Sequence, residues 1–428
     1  MTRRGSVLGL AFALATAHVA AQSAPPLSLK DAEARALRNH PQVRASQFAA
    51  QAGSEVTREV RSAYFPTMYG SVTGADAQSG SRIAAGGLNN PIILDRLAAG
   101  VSVSQLVTDF GRTAELTQTA SLRAQALQQS VVIERADVLL RVDRAYFNAL
   151  RAQAILRVAQ DTVSARQLVV DQVSALAASS LKSGLDLSFA KVNLSEVQLL
   201  LVQARNDVAA AFATLSSAIG QADASVYGLS EEPLPPAPPQ DEAPLVAQAL
   251  RDRPDMAAER LVRESSAKFA DAERALWLPT ISALGAAGLT PFRQDGLNGQ
   301  YAAAGINVSV PLTNGNLFAA RHAEASLRSM AEAERVRDLE NRVARDVRLA
   351  WLDAQTAFQR LDLTNQLLEQ ASQAQELAEA RYNLGLSSIV ELTAAQLNKT
   401  RAELEQAGAR YDYQARDAAL RYQTGSLK

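Results

Sequence analysis

A chain of 428 residues with 43 Lys+Arg against 44 Asp+Glu is almost neutral, which excludes nucleic acid as a partner, since a polyanion demands a basic excess. The absence of cysteine removes disulfides, thiol catalysis and an N-terminal acyl anchor, and the three histidines, His18, His40 and His322, are too scattered for a metal site or triad. No cofactor, catalytic constellation or phosphate-binding glycine loop is in view, so any energy from nucleotide must come from a partner.

The chain opens with Arg3 and Arg4, an apolar run from Val7 to Ala20, and the small residues Ala20 and Ala21. The run is too short to span a bilayer, so residues 1–21 are expected to be a cleaved export signal, with a membrane anchor as the alternative. Beyond it no apolar stretch reaches eighteen residues, so any membrane crossing falls to strands.

The remainder repeats itself once. Ala36-Leu37-Arg38-Asn39-His40-Pro41 matches Ala249-Leu250-Arg251-Asp252-Arg253-Pro254, and Pro66-Thr67 matches Pro279-Thr280, at an offset of 213. Farther along the offset is 205: Val101 and Val103 match Ile306 and Val308, Ala145-Tyr146 matches Ala350-Trp351, and Gly220 matches Gly425. Three regions follow, a first repeat over 22–220, a Pro-rich segment over 221–244 and a second repeat over 245–428. Pro233, Pro235, Pro236, Pro238 and Pro239 are too dense for helix or central strand, which leaves an ordered external strap or a floppy tether.

Within each repeat, four segments rich in Gly, Ser, Thr and Val read as strands: Thr67–Gly74, Gly100–Val107, Thr280–Gly288 and Tyr301–Val310. Val101, Val103, Ile306 and Val308 point one way and Ser102, Ser104, Asn307 and Ser309 the other, as in a wall between lipid and a wet lumen, although soluble sheets also alternate. Tyr64, Phe65, Phe292 and Tyr301 suit an interfacial aromatic girdle, and Ala77–Asp95 and Pro291–Gln300 suit external loops. Four strands cannot close a barrel alone, and open edges are not tolerated in hydrocarbon. Two copies would give a filled lumen, three a passage.

Each strand pair leads into a long helical stretch. Val138, Val142, Ala145, Ala149, Ala152, Leu156, Ala159 and Val163 mark a heptad seam, repeated by Val343, Val347, Ala350, Ala354, Ala357, Leu361, Thr364 and Leu368. By themselves the seams fit dimeric coiled coils as well as a tunnel. Breaks are expected near Gly184 and Gly385, each followed by leucine.

Two motifs carry a family resemblance over nearly the whole mature chain. Leu27-Ser28-Leu29-Lys30-Asp31-Ala32, running on to Pro41, and Ala380-Arg381-Tyr382-Asn383-Leu384-Gly385-Leu386-Ser387-Ser388-Ile389-Val390-Glu391-Leu392 resemble the N-terminal signature and the periplasmic tip of the TolC-like outer-membrane efflux proteins. The resemblance implies an α+β membrane protein. Its expected form is a homotrimer with a twelve-stranded transmembrane β-barrel in outer-membrane lipid and a coiled-coil helical barrel across the periplasm.

A periplasmic adaptor and an inner-membrane pump are the implied partners, and efflux of small molecules the implied function. The exit channel of a type I protein secretion system and a soluble coiled-coil adaptor are the alternatives. Glu391, Tyr382 and Asp186 are the implied pore-gate candidates, and Gly184, Leu185, Gly385 and Leu386 the implied adaptor-docking tips. The chain departs from the family in having Ala394 at a second acidic position and Ser387 at a basic latching one.

Overall fold

A computed structural model describes residues 26–76, 95–223, 225–293 and 298–427. The export signal and most of the first loop lie outside the described residues. The chain runs α1 (Leu29–Asn39), α2 (Pro41–Arg61), β1 (Thr67–Ala75), β2 (Arg96–Thr108), α3 (Arg112–Ala178) and α4 (Gly184–Ile219). It then repeats this order as α5 (Ala243–Asp252), α6 (Pro254–Arg274), β3 (Thr280–Arg293), β4 (Gln300–Ser309), α7 (Leu317–Asn383) and α8 (Ile389–Gln423).

The left-handed residues follow the duplication. Among the described residues they are Phe110, Gly111, Ser180 and Gly220, then Gly315, Asn316, Gly385 and Gly425, four pairs at the offset of 205. Side chains differ within three of the pairs, yet the backbone turns in the same places. Gly220 and Gly425 close α4 and α8, and an added Cβ would stand 3.1 Å from the His40 Cα in one half and 3.1 Å from the Arg253 nitrogen in the other. Each glycine thus lets a helix end abut the Pro-initiated kink between the two short helices of its own half.

The helices α3 and α7 each have 67 residues, about 100 Å of rise at ~1.5 Å per residue. Both seams are buried or half-buried along their length, Val138, Val142, Val343 and Val347 completely. Toward the sheet, α2, α3, α6 and α7 stand side by side; toward the far end the order is α4, α3, α8, α7. Small seam residues such as Ala145, Ala149 and Ala354 allow the close approach that a one-layer wall requires. Near the sheet the wall is bolted by Glu273 of α6, almost wholly buried, with Arg321 at 3.0 Å and Arg112 at 4.0 Å.

A second layer covers one side of this wall at mid-height. The Tyr146 hydroxyl of α3 lies 2.8 Å from the Leu27 carbonyl and 2.7 Å from that of Ser230, within donating distance of both. Gln414 and Arg410 of α8 donate to the Glu232 carbonyl, Tyr413 to that of Pro236, and the Trp351 indole of α7 to that of Pro239 at 2.8 Å. These bonds satisfy carbonyls that the prolines leave without a helical or strand partner, so the segment is an ordered strap.

Asp143 of α3 sits beneath α1 with no exposure. Burial, the facing Glu33 carboxyl of α1 and Asp417 of α8 push its pKa up to about 8, against a smaller opposing pull from Arg421. Neither carboxyl oxygen of Asp143 has a hydrogen-bond partner, so this buried group beside a second carboxylate is held in its protonated form at neutral pH.

The sheet is antiparallel in the order β1-β2-β3-β4. Its register places Met68, Val101, Val103, Ala283, Gly285, Ala304 and Ile306 on one face and Tyr69, Ser102, Ser104, Ser282 and Asn307 on the other. The expected apolar and polar faces are therefore those observed. Tyr301, expected in an aromatic girdle, is placed by strand parity with Asn307 and Ser309, where its ring lies across Gly288 and Gly100. A Cβ on either glycine would collide with that ring, so the aromatic side chain fills a gap on the polar face and does not reach the lipid side.

Candidate functional site at the hairpin tips

Each half of the chain ends its long helix in the same turn. After α3, Leu181 donates to the Leu176 carbonyl at 2.9 Å; after α7, Leu386 donates to the Arg381 carbonyl at 2.8 Å. Both are the longer bond of a Schellman stop, which needs a left-handed residue just before the donor. Gly385, with φ of 75°, is that residue in the second turn.

The first turn corrects an expectation. Its left-handed residue is Ser180, φ 61°, and Gly184 is instead the first residue of α4. The offset of 205 leads from Gly385 to Ser180, not to Gly184, and this was the signal available in the sequence.

The acidic candidates fall at equivalent positions as well. The Asp186 amide donates to the Ser183 hydroxyl at 3.1 Å, and the Ser183 amide donates back to the Asp186 carboxylate at 3.3 Å, a complete capping box for α4. In α8 the Glu391 amide donates to the Ser388 hydroxyl at 3.4 Å, but the Glu391 carboxylate turns to Arg381, 3.2 Å away. Both partners are about half exposed, so this pair contributes little to stability.

Tyr382 is buried, packed with Ala378, Ile389 and Leu392, and its hydroxyl has no hydrogen-bond partner. Burial, followed by the nearby Asp186, raises its phenol above the usual value. The Lys182 ammonium lies 3.8 Å over its ring. Lys182 stands at the position equivalent to Ser387, so the cation missing from the second tip is present on the first and reaches across to it. A further bond joins the hairpins at this level, from the Asn193 amide to the Thr393 hydroxyl at 2.9 Å.

Around these contacts the surface is apolar. Leu185 and Leu386 are 64% and 67% exposed, and Leu181, Leu384 and Val390 join them. The last three, with Lys182, were missed in the sequence. Their exposure next to a buried tyrosine is a tertiary property, whereas the glycines stood out by residue type.

A four-stranded sheet with one apolar and one polar face, continuous with a one-layer wall of long helices, is one protomer of a channel whose bore closes only by association. The chain belongs to the outer membrane efflux protein family, whose model matches residues 34–221 and 245–426. Its place is the outer membrane, with the helical part extending into the periplasm.

Among individual relatives, the outer membrane protein TolC of Escherichia coli K12 is 22% identical over 404 residues, covering 91% of this chain and 80% of that protein. The outer membrane efflux protein BepC of Brucella suis is 28% identical over 208 residues, covering 48% of this chain and 43% of that one. Of solved structures, VceC of Vibrio cholerae superposes with a TM-score of 0.79 at 17% identity, covering 93% of this chain and 96% of that one. The CmeC outer membrane channel of Campylobacter jejuni does so with a TM-score of 0.78 at 14% identity, covering 99% and 94%. Identities this low establish a shared fold.

Proposed function

We propose that three copies of this chain form a passive duct through which a periplasmic adaptor and an inner-membrane pump discharge small molecules. The observation that carries this reading is the pair of free edges. The sheet ends in β1 and β4 and the lower wall in α4 and α7, and among the described residues these edges have no further strand or wall helix beside them.

The helical edges carry apolar rows made for a neighbour. Leu185, Val192 and Leu199 on α4 recur every seven residues and are exposed, as are Leu349, Leu363 and Leu377 on α7 at twice that spacing. Three copies of a four-stranded sheet give twelve strands, enough for a passage. Family membership supports the adaptor and pump as partners.

In this reading the apolar tip residues Leu185 and Leu386, with the turns at Gly184 and Gly385, are where the adaptor docks. Tyr382, Asp186 and Glu391 set how far the two hairpins part. The test is export by cells whose own copy is replaced with Leu386→Asp or Leu185→Asp. Trimer recovered in gentle detergent at normal levels, with export lost, is the expected result. Full export with either variant removes the tip from the mechanism, and recovery of the unaltered protein as a soluble monomer overturns the duct.

A further inference from the structure

Between residues 136 and 154, α3 is covered on almost every side. The exposed residues in this stretch are Arg141, Arg144, Asn148 and Arg151, and spacings of three and four put them on one helix face. Tyr146, on the opposite face, is the residue held against the Leu27 and Ser230 carbonyls. The strap and α1 therefore lie behind α3. Three copies of such a layer inside the bore would fill it, so on the duct reading above the uncovered face looks into the tunnel.

That face holds three cations and no acid. Across from it on α8 stand Asp412 and Arg416, and the two helices enclose a groove of about 400 Å3 with Phe147 and Tyr411 along it. Nearby carboxylates are already engaged. Arg416 lies 2.8 Å from Asp353 and 3.6 Å from Asp412, Arg360 lies 2.8 Å from Glu405 and 3.9 Å from Asp412, and Arg141 is held by Glu134 at 3.1 Å. Among the described residues, Arg144 and Arg151 have no carboxylate within 4.0 Å.

We propose that this groove is an anion subsite on the tunnel wall. Arg144 and Arg151 receive the carboxylate, sulfonate or phosphate group of a passing small molecule. Guanidinium groups suit such anions because their planar fork matches two oxygens at once. The groove lies between the two middle helices of the wall and not at the free edges, so association leaves it open. Threefold repetition sets two rings of three guanidiniums, about 10 Å apart along a confined bore at ~1.5 Å of helix rise per residue, where like charges focus the field.

The experiment is planar-bilayer recording of the purified full-length protein, with benzene-1,3,5-tricarboxylate as the probe and the uncharged benzene-1,3,5-trimethanol as its control. Wild type should show block by the tricarboxylate but not by the triol. In Arg144→Gln/Arg151→Gln the half-blocking concentration should rise at least about fivefold, and in a potassium chloride gradient the reversal potential should move toward that of potassium. Arg151 also packs along α8 beside Gly408, so Asn148→Glu provides a second variant that leaves both arginines in place and adds a counter-charge on the same exposed face. It should weaken block in the same direction, while Arg144→Lys/Arg151→Lys should retain most of it. Wild-type pores whose block and selectivity are unchanged in both Arg144→Gln/Arg151→Gln and Asn148→Glu overturn the subsite alone. Failure of the wild type to form pores overturns the duct and the subsite with it.

Discussion

Ser180 and Gly385 hold the same left-handed backbone conformation at the same place in the two hairpin turns, one as serine and one as glycine. A side chain in that conformation costs about 1 kcal/mol that glycine avoids. Ser180→Gly should make local opening of the first turn roughly fivefold rarer, and Gly385→Ala should make opening of the second commoner by a similar factor. Hydrogen exchange at residues 176–187 and 381–392 measures both. Effects of the same sign would show that the turns do not carry the strain assigned to them.

Gly220 and Gly425 combine a left-handed φ with close approach of a neighbouring backbone, so substitution there meets two penalties at once. Gly425→Ala should lower the unfolding midpoint and cost roughly 2 kcal/mol, against about 1 kcal/mol at Gly385, where an added Cβ meets open space. Denaturant titration of the detergent-extracted protein ranks the two variants, and an equal loss would contradict the close contact.

The two faces of β2 should differ in their tolerance of charge. Val103→Arg places a cation among Met68, Gly285 and Ala304 on the apolar face, at a cost of roughly 2 to 4 kcal/mol near the bilayer midplane. Ser102→Arg places it with Tyr69 and Ala286 on the other face, where water is available. Yields of assembled protein in the outer membrane should fall for the first and hold for the second. Equal yields would mean that the faces are exchanged.

Asp143 predicts a pH dependence. Its folded pKa, about 8, lies above the ordinary carboxylate value, so between pH ~4 and about 8 the folded protein keeps a proton that the unfolded chain releases. This contribution is full below pH ~4, is lost as pH rises toward 8, and is constant above. Asp143→Asn should flatten that slope and leave the protein more stable than wild type at pH 8, by on the order of 1 to 3 kcal/mol. Thermal unfolding across this range decides it; parallel curves for the two proteins would show that Asp143 is not held protonated in the fold.

Much of this architecture was legible because it is periodic. The heptad seams, the alternation in β2 and β4 and the internal repeat each leave a signal at fixed spacing, and the helices and strands stand where those signals put them. The first break stands near Gly184 as expected, but its left-handed residue is Ser180, to which the offset of the repeat already led. Tyr301 was assigned to the lipid interface by residue type, whereas its parity with Asn307 told against it. Nothing periodic announces Lys182 over Tyr382 or Asn193 beside Thr393, since each joins residues about 200 positions apart through side chains alone.

The junction between α3 and α8 inside the chain has a consequence for the junction between chains. It sets the long helix of the first half against the short helix of the second. The free edges are α7 and α4, a long helix of the second half and a short helix of the first, so copy meets copy through the same pairing that each copy already contains. The strands repeat the arrangement, with β2 on β3 within the chain and β1 and β4 left at the two edges of the sheet. The tube is therefore six quasi-equivalent units carried by three chains. Departures from sixfold symmetry are confined to positions where the halves differ, and those at the tips include Ser180 against Gly385, Lys182 against Ser387, Asp186 against Glu391, Leu176 against Arg381 and Ala177 against Tyr382. A tube of six identical staves would have sixfold symmetry, and these inequalities are what lower it to threefold.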